Sequence, residues 1–130
     1  MLDKVEYWLD LADDDVNVSK SLFEKKHYLQ MGFFCHLIVE KALKAIVAKV
    51  THEVPPKTHH LKKLAVKAEI HDKLSDKQLT LLEDLSPLQI EARYPEYKES
   101  LAKTLTADYC KQLLKETEEF LCFVKKELGK

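Results

Sequence analysis

An almost uninterrupted apolar stretch, residues 33–50 with the sequence FFCHLIVEKALKAIVAKV, restricts the possible folds of this chain most strongly. On a helix that turns about 100° per residue, its apolar side chains cover one broad face. His36, Glu40 and Lys44 recur at every fourth position and form a narrow polar stripe on the opposite side. A helix that is apolar around most of its circumference must be buried, so other elements are predicted to pack around it.

The same helical period appears on both sides of this stretch. Residues 3–25 and 107–128 carry apolar side chains at spacings of three and four, which predicts two more long helices. Two shorter apolar stripes predict a third and a fourth helix between them. Thr58 is predicted to be the N-cap of the third helix, and Ser75 with Gln78 has the spacing of a capping box at the start of the fourth.

Proline marks the predicted interruptions of the helices. Ser86-Pro87 predicts a break or kink in the fourth helix, and residues 88–106, which include Tyr94-Pro95, are predicted to form the longest loop. No strand-like alternation is present. The chain is therefore predicted to be one all-α domain over residues 1–130, an up-and-down helical bundle of three long helices plus one or two short ones.

Composition narrows the function classes. A net charge of -1 with 33% charged residues describes a mixed-sign surface, which argues against a strong nonspecific nucleic-acid binder but is compatible with a local basic patch. Cys35, Cys110 and Cys122 lie within apolar helical patterns and are predicted to be reduced core thiols. No leader pattern and no apolar run of about 18 residues is present, so a cytoplasmic protein without membrane contact is expected.

The polar stripe on the second helix is the first candidate site. One interpretation is a solvated stripe or an intrahelical Glu40–Lys44 ion pair without a chemical role, because Glu followed by Lys four residues later is a favoured helix pair. The other interpretation is a phosphate site, in which Lys44 and Lys41 offer charge, Glu40 orients them and His36 donates near neutral pH.

The second candidate site is Lys57-Thr58-His59-His60, at the predicted start of the third helix. Lysine and histidine side chains beside free backbone N–H groups favour an anion site, and a capped helix start with surface histidines is the alternative. His59 and His60 are adjacent and His52 lies in a loop, so no closed set of four zinc ligands is predicted. Neither a metal nor another cofactor is expected.

The third candidate site is Arg93-Tyr94-Pro95, which contains the only arginine of the chain. An arginine in a chain that otherwise uses lysine favours a planar, bidentate contact or stacking on an aromatic ring. The alternative is an arginine paired with an acidic helix, with Tyr94 packed and Pro95 setting a bend. No glycine-rich phosphate loop and no spaced Ser, His and Asp triad is present.

Taken in chain order, three segments resemble one known family. HLIVEKALKA (residues 36–45), P-x-x-THHL (residues 55–61) and EARYP (residues 91–95) are similar to motifs of the HEPN domain, the higher eukaryotes and prokaryotes nucleotide-binding domain. The resemblance covers essentially the whole chain. It implies a four- or five-helix bundle, usually a homodimer, that often works with a minimal nucleotidyltransferase and in some members belongs to a toxin–antitoxin pair.

The chain departs from the ribonuclease motif of that family. Many HEPN proteins are metal-independent ribonucleases with an Arg followed, after four to six residues, by a His. No histidine follows Arg93 within that distance, and none occurs beyond His71. The general acid or base is missing from its expected place, so the resemblance favours binding over catalysis and leaves enzymatic activity open.

Three hypotheses follow. The leading one is a HEPN protein that binds a nucleotide or RNA phosphate as the accessory partner of a nucleotidyltransferase. The alternatives are a divergent ribonuclease that uses Arg93, with His36, His59 or His60 as acid or base, and a purely structural dimerisation module. A homodimer is expected, because the second and last helices carry more apolar surface than a small bundle easily hides. The residues predicted to contact the ligand are His36, Glu40, Lys41, Lys44, Lys57, His59, His60, Arg93 and Tyr94.

Overall fold

A computed structural model describes the backbone of residues 4–90 and 95–130 and the side chains of residues 4–89 and 99–130. These residues form six α-helices and one 3₁₀ turn, without a strand. The elements are α1 (Lys4–Glu24), α2 (Tyr28–Thr51), α3 (Leu61–Lys67), the 3₁₀ turn (His71–Lys73), α4 (Asp76–Ile90), α5 (Pro95–Thr104) and α6 (Ala107–Glu127). The all-α bundle is confirmed. Its three long helices have 21, 24 and 21 residues, and three shorter helices accompany them in the described part of the chain.

Helix α2 is the centre of the bundle, as its apolar sequence predicts. It contacts each of the other five described α-helices, and its residues from Ala42 to Ala48 are all buried. Helices α1 and α6 pack against it along their own apolar stripes. The core of the protein is therefore the space around α2, and anything polar on α2 has to find its partners there.

Local capping signals place three helix ends. The Thr106 hydroxyl accepts a hydrogen bond from the Tyr109 N–H at 3.2 Å at the start of α6. Ser75 and Gln78 form the predicted reciprocal capping box, with distances of 2.9 and 3.1 Å. Gly129 has a φ of 76° just after α6, a conformation that favours glycine.

The predicted N-cap of α3 is wrong. The helix begins at Leu61, and the ring of His60 caps it by accepting a hydrogen bond from the Lys63 N–H at 3.3 Å. The Thr58 hydroxyl instead accepts from the His60 N–H at 3.2 Å, so it stabilises a turn before the helix. The histidine cap satisfies one of the unpaired N–H groups in the first turn of this seven-residue helix.

The predicted loop over residues 88–106 is also wrong, since residues 88–90 and 95–104 are helical, and of the predicted break or kink at Pro87 the break is not present. Helix α4 continues through Pro87 to Ile90, because Leu85 and Leu88 are buried on its inner face. Pro95 is the first residue of α5, a position where the missing N–H costs nothing. The Pro95 signal therefore marked the start of a helix.

A close approach of α4 to α2 sets the position of the site described below. A Cβ atom at Gly32 would lie 2.9 Å from Cδ1 of Leu88, so glycine allows the last turns of α4 to lie directly on α2. The connection between α2 and α3 is held from the other side by Pro55, which is buried.

The cysteine prediction holds for two of three residues. Cys35 and Cys110 are fully buried, and burial raises the pKa of both thiols. Cys122 is exposed, because it lies on the outer face of α6. Across the described ranges, no helix has the length and apolarity required to cross a bilayer.

Candidate phosphate site

The polar stripe of α2 is buried, which contradicts its interpretation as a solvated surface. His36, Glu40 and Lys44 are 1%, 4% and 6% exposed. Helix α1 covers one end of the stripe, where the Lys44 ammonium lies 5.4 Å from the centroid of the Trp8 ring. The predicted intrahelical pair does form, with Lys44 Nζ 3.1 Å from Glu40 Oε2.

Glu40 is the centre of this charge cluster, which we define as His36, Glu40, Lys44 and His59. Its Oε2 accepts from Lys44, and its Oε1 lies 2.8 Å from His59 Nδ1. A carboxylate only accepts hydrogen bonds, so Nδ1 of His59 carries the proton and Nε2 is the free ring nitrogen. The loop before α3 is thereby attached to the central helix, and the His59 side chain remains 55% exposed.

His36 is a buried neutral group. Its Nδ1 lies 3.6 Å from Glu40 Oε1, beyond hydrogen-bonding distance, and neither ring nitrogen has a hydrogen-bond partner among the described residues. Burial lowers its pKa to about 4, although the Glu40 carboxylate and the backbone of His59 act in the opposite direction. His36 is therefore uncharged at neutral pH and lies too deep to contact a ligand at the surface.

A cationic cleft lies beside the charge cluster. It has a volume of about 490 Å³ and lies between the segment that leads into α3 and the last turns of α4. Its lining residues are Lys57, Thr58, His59, His60, Lys63, Ser86 and Gln89. None of these described lining residues is acidic and two are lysines, so the lining carries a positive formal charge, which favours an anion.

The cations of the cleft are available to a ligand. Lys57 and Lys63 are exposed and form no ion pair within the described part of the chain, whereas the neighbouring Lys62 pairs with Glu83 at 2.9 Å. Because His60 Nδ1 accepts from the Lys63 N–H, the proton of its neutral ring lies on Nε2. That N–H is a further donor for an anionic oxygen.

The predicted ligand residues thus divide into groups. Lys57, His59 and His60 line the cleft together. Lys44 and Glu40 lie behind it and neutralise each other, and Lys41 pairs with Asp15 of α1 at 2.5 Å. Arg93 and Tyr94 lie outside the described residues.

Three cleft residues were missed by the sequence analysis: Lys63, Ser86 and Gln89. Lys63 follows His60 by three residues, the spacing of a cap, and that signal was available in the sequence. The two α4 residues gave no such signal, since their position depends on the continuation of α4 through Pro87. In the described part of the chain, no group of three or more His, Cys, Asp or Glu side chains is arranged to hold a metal ion.

The fold and the site define a small all-α protein whose central helix carries a buried carboxylate that orients a histidine at the edge of a cationic cleft. Residues 5–128, nearly the whole chain, match the sequence profile of the HEPN domain, and the protein belongs to this family. The match confirms the resemblance inferred from the three motifs. A comparison with curated proteins found no match. Family membership supports a role that involves nucleotides or RNA in general.

Proposed function

We propose that this HEPN protein binds the phosphate groups of a nucleotide or of RNA in the cationic cleft, and that it acts as the accessory partner of a minimal nucleotidyltransferase. The observation that carries the binding part is the cleft itself. Lys57 and Lys63 have no acidic partner in the described part of the chain, and His60 contributes an N–H donor beside them. Charge-assisted hydrogen bonds of this type are shorter and stronger than neutral ones.

The binding experiment is a calorimetric titration of the purified protein with ATP and with short RNA oligonucleotides. Hydrogen bonds to charged groups contribute about 1.5–3 kcal/mol each, so Lys63→Ala should weaken binding by roughly tenfold to 100-fold. Lys67→Ala is the matched control, because it removes the same charge from α3 at a residue outside the cleft. Absence of any binding at millimolar ligand would refute the phosphate site.

The partner part of the proposal rests on family membership. HEPN proteins often work with a minimal nucleotidyltransferase, in some cases as a toxin–antitoxin pair, and a protein with a modest cleft and a largely neutral surface suits an accessory role. The test is the gene neighbourhood, followed by co-expression with the adjacent nucleotidyltransferase and joint purification. A neighbourhood without such a gene would contradict this part and leave phosphate binding untouched.

A homodimer is also part of the proposal, although the apolar surface of α2 and α6 is only weak support for it. Most apolar residues of α2 and α6 are buried within the protomer, although Val50 of α2 remains exposed. Among the residues whose side chains are described, the large apolar side chains that remain exposed are Tyr7, Val18, Val50, Val54 and Val66. Sedimentation velocity at micromolar concentration tests the dimer, and a monomer there would contradict it.

One observation favours a ribonuclease as the second candidate function. His59 and His60 are adjacent in the cleft and have opposite tautomers, because Glu40 holds the proton on His59 Nδ1 whereas the cap of α3 places it on His60 Nε2. His59 is then the candidate general base and His60 the candidate general acid. This pair could replace the histidine that is missing after Arg93.

The proton transfers of the corresponding reaction need only these two groups. His59 Nε2 takes the proton of a 2′-hydroxyl, whose oxygen forms a bond to phosphorus while the bond from phosphorus to the 5′-oxygen breaks. The proton on His60 Nε2 passes to the leaving 5′-oxygen, which yields a 2′,3′-cyclic phosphate and a 5′-hydroxyl. Arg93 would stabilise the charge of the phosphorane.

Incubation of RNA with the wild type and three variants tests this candidate. Arg93→Ala and His59→Ala should each lower the cleavage rate by at least about 100-fold, and Lys67→Ala should cleave like the wild type. Cleavage by Arg93→Ala and His59→Ala that is indistinguishable from wild-type cleavage would rule out the roles assigned to these residues. In that case any activity belongs to a contaminant.

A further inference from the structure

Gln89 is a buried polar side chain whose hydrogen-bonding groups are unused. It is 9% exposed and lines the cationic cleft from α4. Its carboxamide has two donor hydrogens and an acceptor oxygen, yet it forms no side-chain hydrogen bond within the described part of the chain. Ser86, one turn earlier on the same helix, donates its hydroxyl to the Leu82 carbonyl at 2.8 Å. A polar side chain in this part of α4 can therefore find a partner within the helix, whereas the Gln89 carboxamide does not.

Two fully buried hydroxyl groups of the bundle show the usual behaviour. Ser19 donates to the Met31 carbonyl at 3.2 Å, and Thr117 donates to the Leu113 carbonyl at 2.8 Å. Most polar groups near the core of a native protein have a partner. The Gln89 carboxamide has none among the described residues and lies in the wall of the cleft, so it is available to a ligand.

The dimensions and the two walls of the cleft indicate what that ligand is. A volume of about 490 Å³ is in the range of sites for whole small molecules and exceeds what a lone phosphate requires. Lys57, His60 and Lys63 supply cations and a donor from one wall, while Gln89 supplies an uncharged donor–acceptor pair from the other. A nucleotide combines an anionic end with a base edge that matches such a pair.

We propose that Gln89 binds the adenine base of a nucleotide whose phosphate lies on Lys57 and Lys63; this inference rests on the phosphate binding proposed above. A carboxamide pairs in a bidentate manner with adenine, donating to N7 and accepting from the N6 amino group. Guanine presents two acceptors at the same positions, so the carboxamide oxygen would oppose O6. A matched base pairing of this kind discriminates by roughly fivefold to 150-fold.

The experiment compares three ligands by calorimetry on the full chain: AMP, GMP and ribose 5-phosphate. The wild type should bind AMP at least about fivefold more tightly than either of the others. Gln89→Met keeps the length of the side chain and removes its polar atoms, so it should reduce AMP affinity to that of ribose 5-phosphate and leave ribose 5-phosphate unchanged. Thr80→Ala is the control on the same helix, because Thr80 is exposed and does not line the cleft.

Each possible result either supports the proposal or overturns a stated part of it. Equal affinity of the wild type for AMP and ribose 5-phosphate overturns the base contact, and equal affinity for AMP and GMP overturns its assignment to adenine. A Gln89→Met protein that keeps the preference for AMP overturns the role of Gln89; if that variant does not fold, the wild-type comparison alone still decides. If the wild type binds none of these three ligands and also binds neither ATP, RNA nor inorganic tripolyphosphate, the result would instead refute the proposed phosphate site.

Discussion

Replacement of Glu40 by glutamine is an experiment that distinguishes a buried charge cluster from a surface ion pair. The substitution keeps the shape of the side chain and removes its charge. Lys44, which is 6% exposed, then has an ammonium group beside Trp8 and no carboxylate to balance it. The sequence alone would predict a small effect, because an exposed helix pair at this spacing contributes only about 0.3–0.5 kcal/mol.

The structure predicts a much larger effect. Removal of one partner from a buried ion pair costs about 3–5 kcal/mol, because the other charge remains buried without compensation. That is a large fraction of the roughly 5–15 kcal/mol by which a domain is stable. Glu40→Gln combined with Lys44→Met removes both charges and should restore stability to within about 1 kcal/mol of the wild type.

The assay is urea unfolding at pH 7, followed by circular dichroism, for the wild type, both single variants and the double variant. Lys62→Ala is the control, because it breaks an ion pair to Glu83 whose side chains are 44% and 60% exposed, and it should cost less than about 1 kcal/mol. A loss below about 1 kcal/mol for Glu40→Gln would refute the burial argument. A double variant as unstable as Glu40→Gln would refute the assignment of the loss to the unpaired lysine.

Three further predictions concern single residues. Burial lowers the pKa of His36 from 6.5 to about 4, so the unfolded chain takes up a proton at a higher pH than the folded chain. The free energy of unfolding of the wild type should therefore fall by about 1.4 kcal/mol per pH unit as the pH drops below about 6.5. Urea unfolding at pH 7 and pH 5 measures this loss, which should be smaller by about 2 kcal/mol in His36→Leu. Native alkylation followed by mass spectrometry should label Cys122 and spare Cys35 and Cys110, whose thiols are buried; equal labelling of all three would contradict the core. Thr106→Ala should cost about 1 kcal/mol in the same urea assay, since it removes the cap of α6, and an unchanged midpoint would show that the cap is dispensable.

The sequence predicted the parts of the fold that depend on local signals. The three long helices follow from a period of 3.6 residues, and the capping box at Ser75 and Gln78 needs only residues three positions apart. The failures are of another kind. Pro87 is tolerated inside α4 because the tertiary packing of Leu88 against Gly32 outweighs the free-energy cost of a proline within a helix. Sequence patterns over a few neighbouring residues do not contain information about that packing.

The candidate site was predicted in part for the same reason. Lys57, His59 and His60 are contiguous, so one sequence motif places them in one cleft. The burial of the α2 stripe could not be predicted, because Glu followed four residues later by Lys has the same pattern on a surface and in a core. Gln89 could not be predicted either, since its relation to the cleft depends on how α4 crosses α2.

Glu40 connects the stability of the bundle to the geometry of its cleft. One oxygen of its carboxylate balances the buried Lys44, and the other holds His59 at 2.8 Å. The two roles are separable by experiment, because His59 is 55% exposed and its loss leaves the Glu40–Lys44 pair intact. A substitution at His59 should therefore change binding or cleavage in a protein of nearly normal stability, whereas a substitution at Glu40 should damage both. Any loss of function in a Glu40 variant thus has to be measured below its unfolding transition before it is assigned to the cleft.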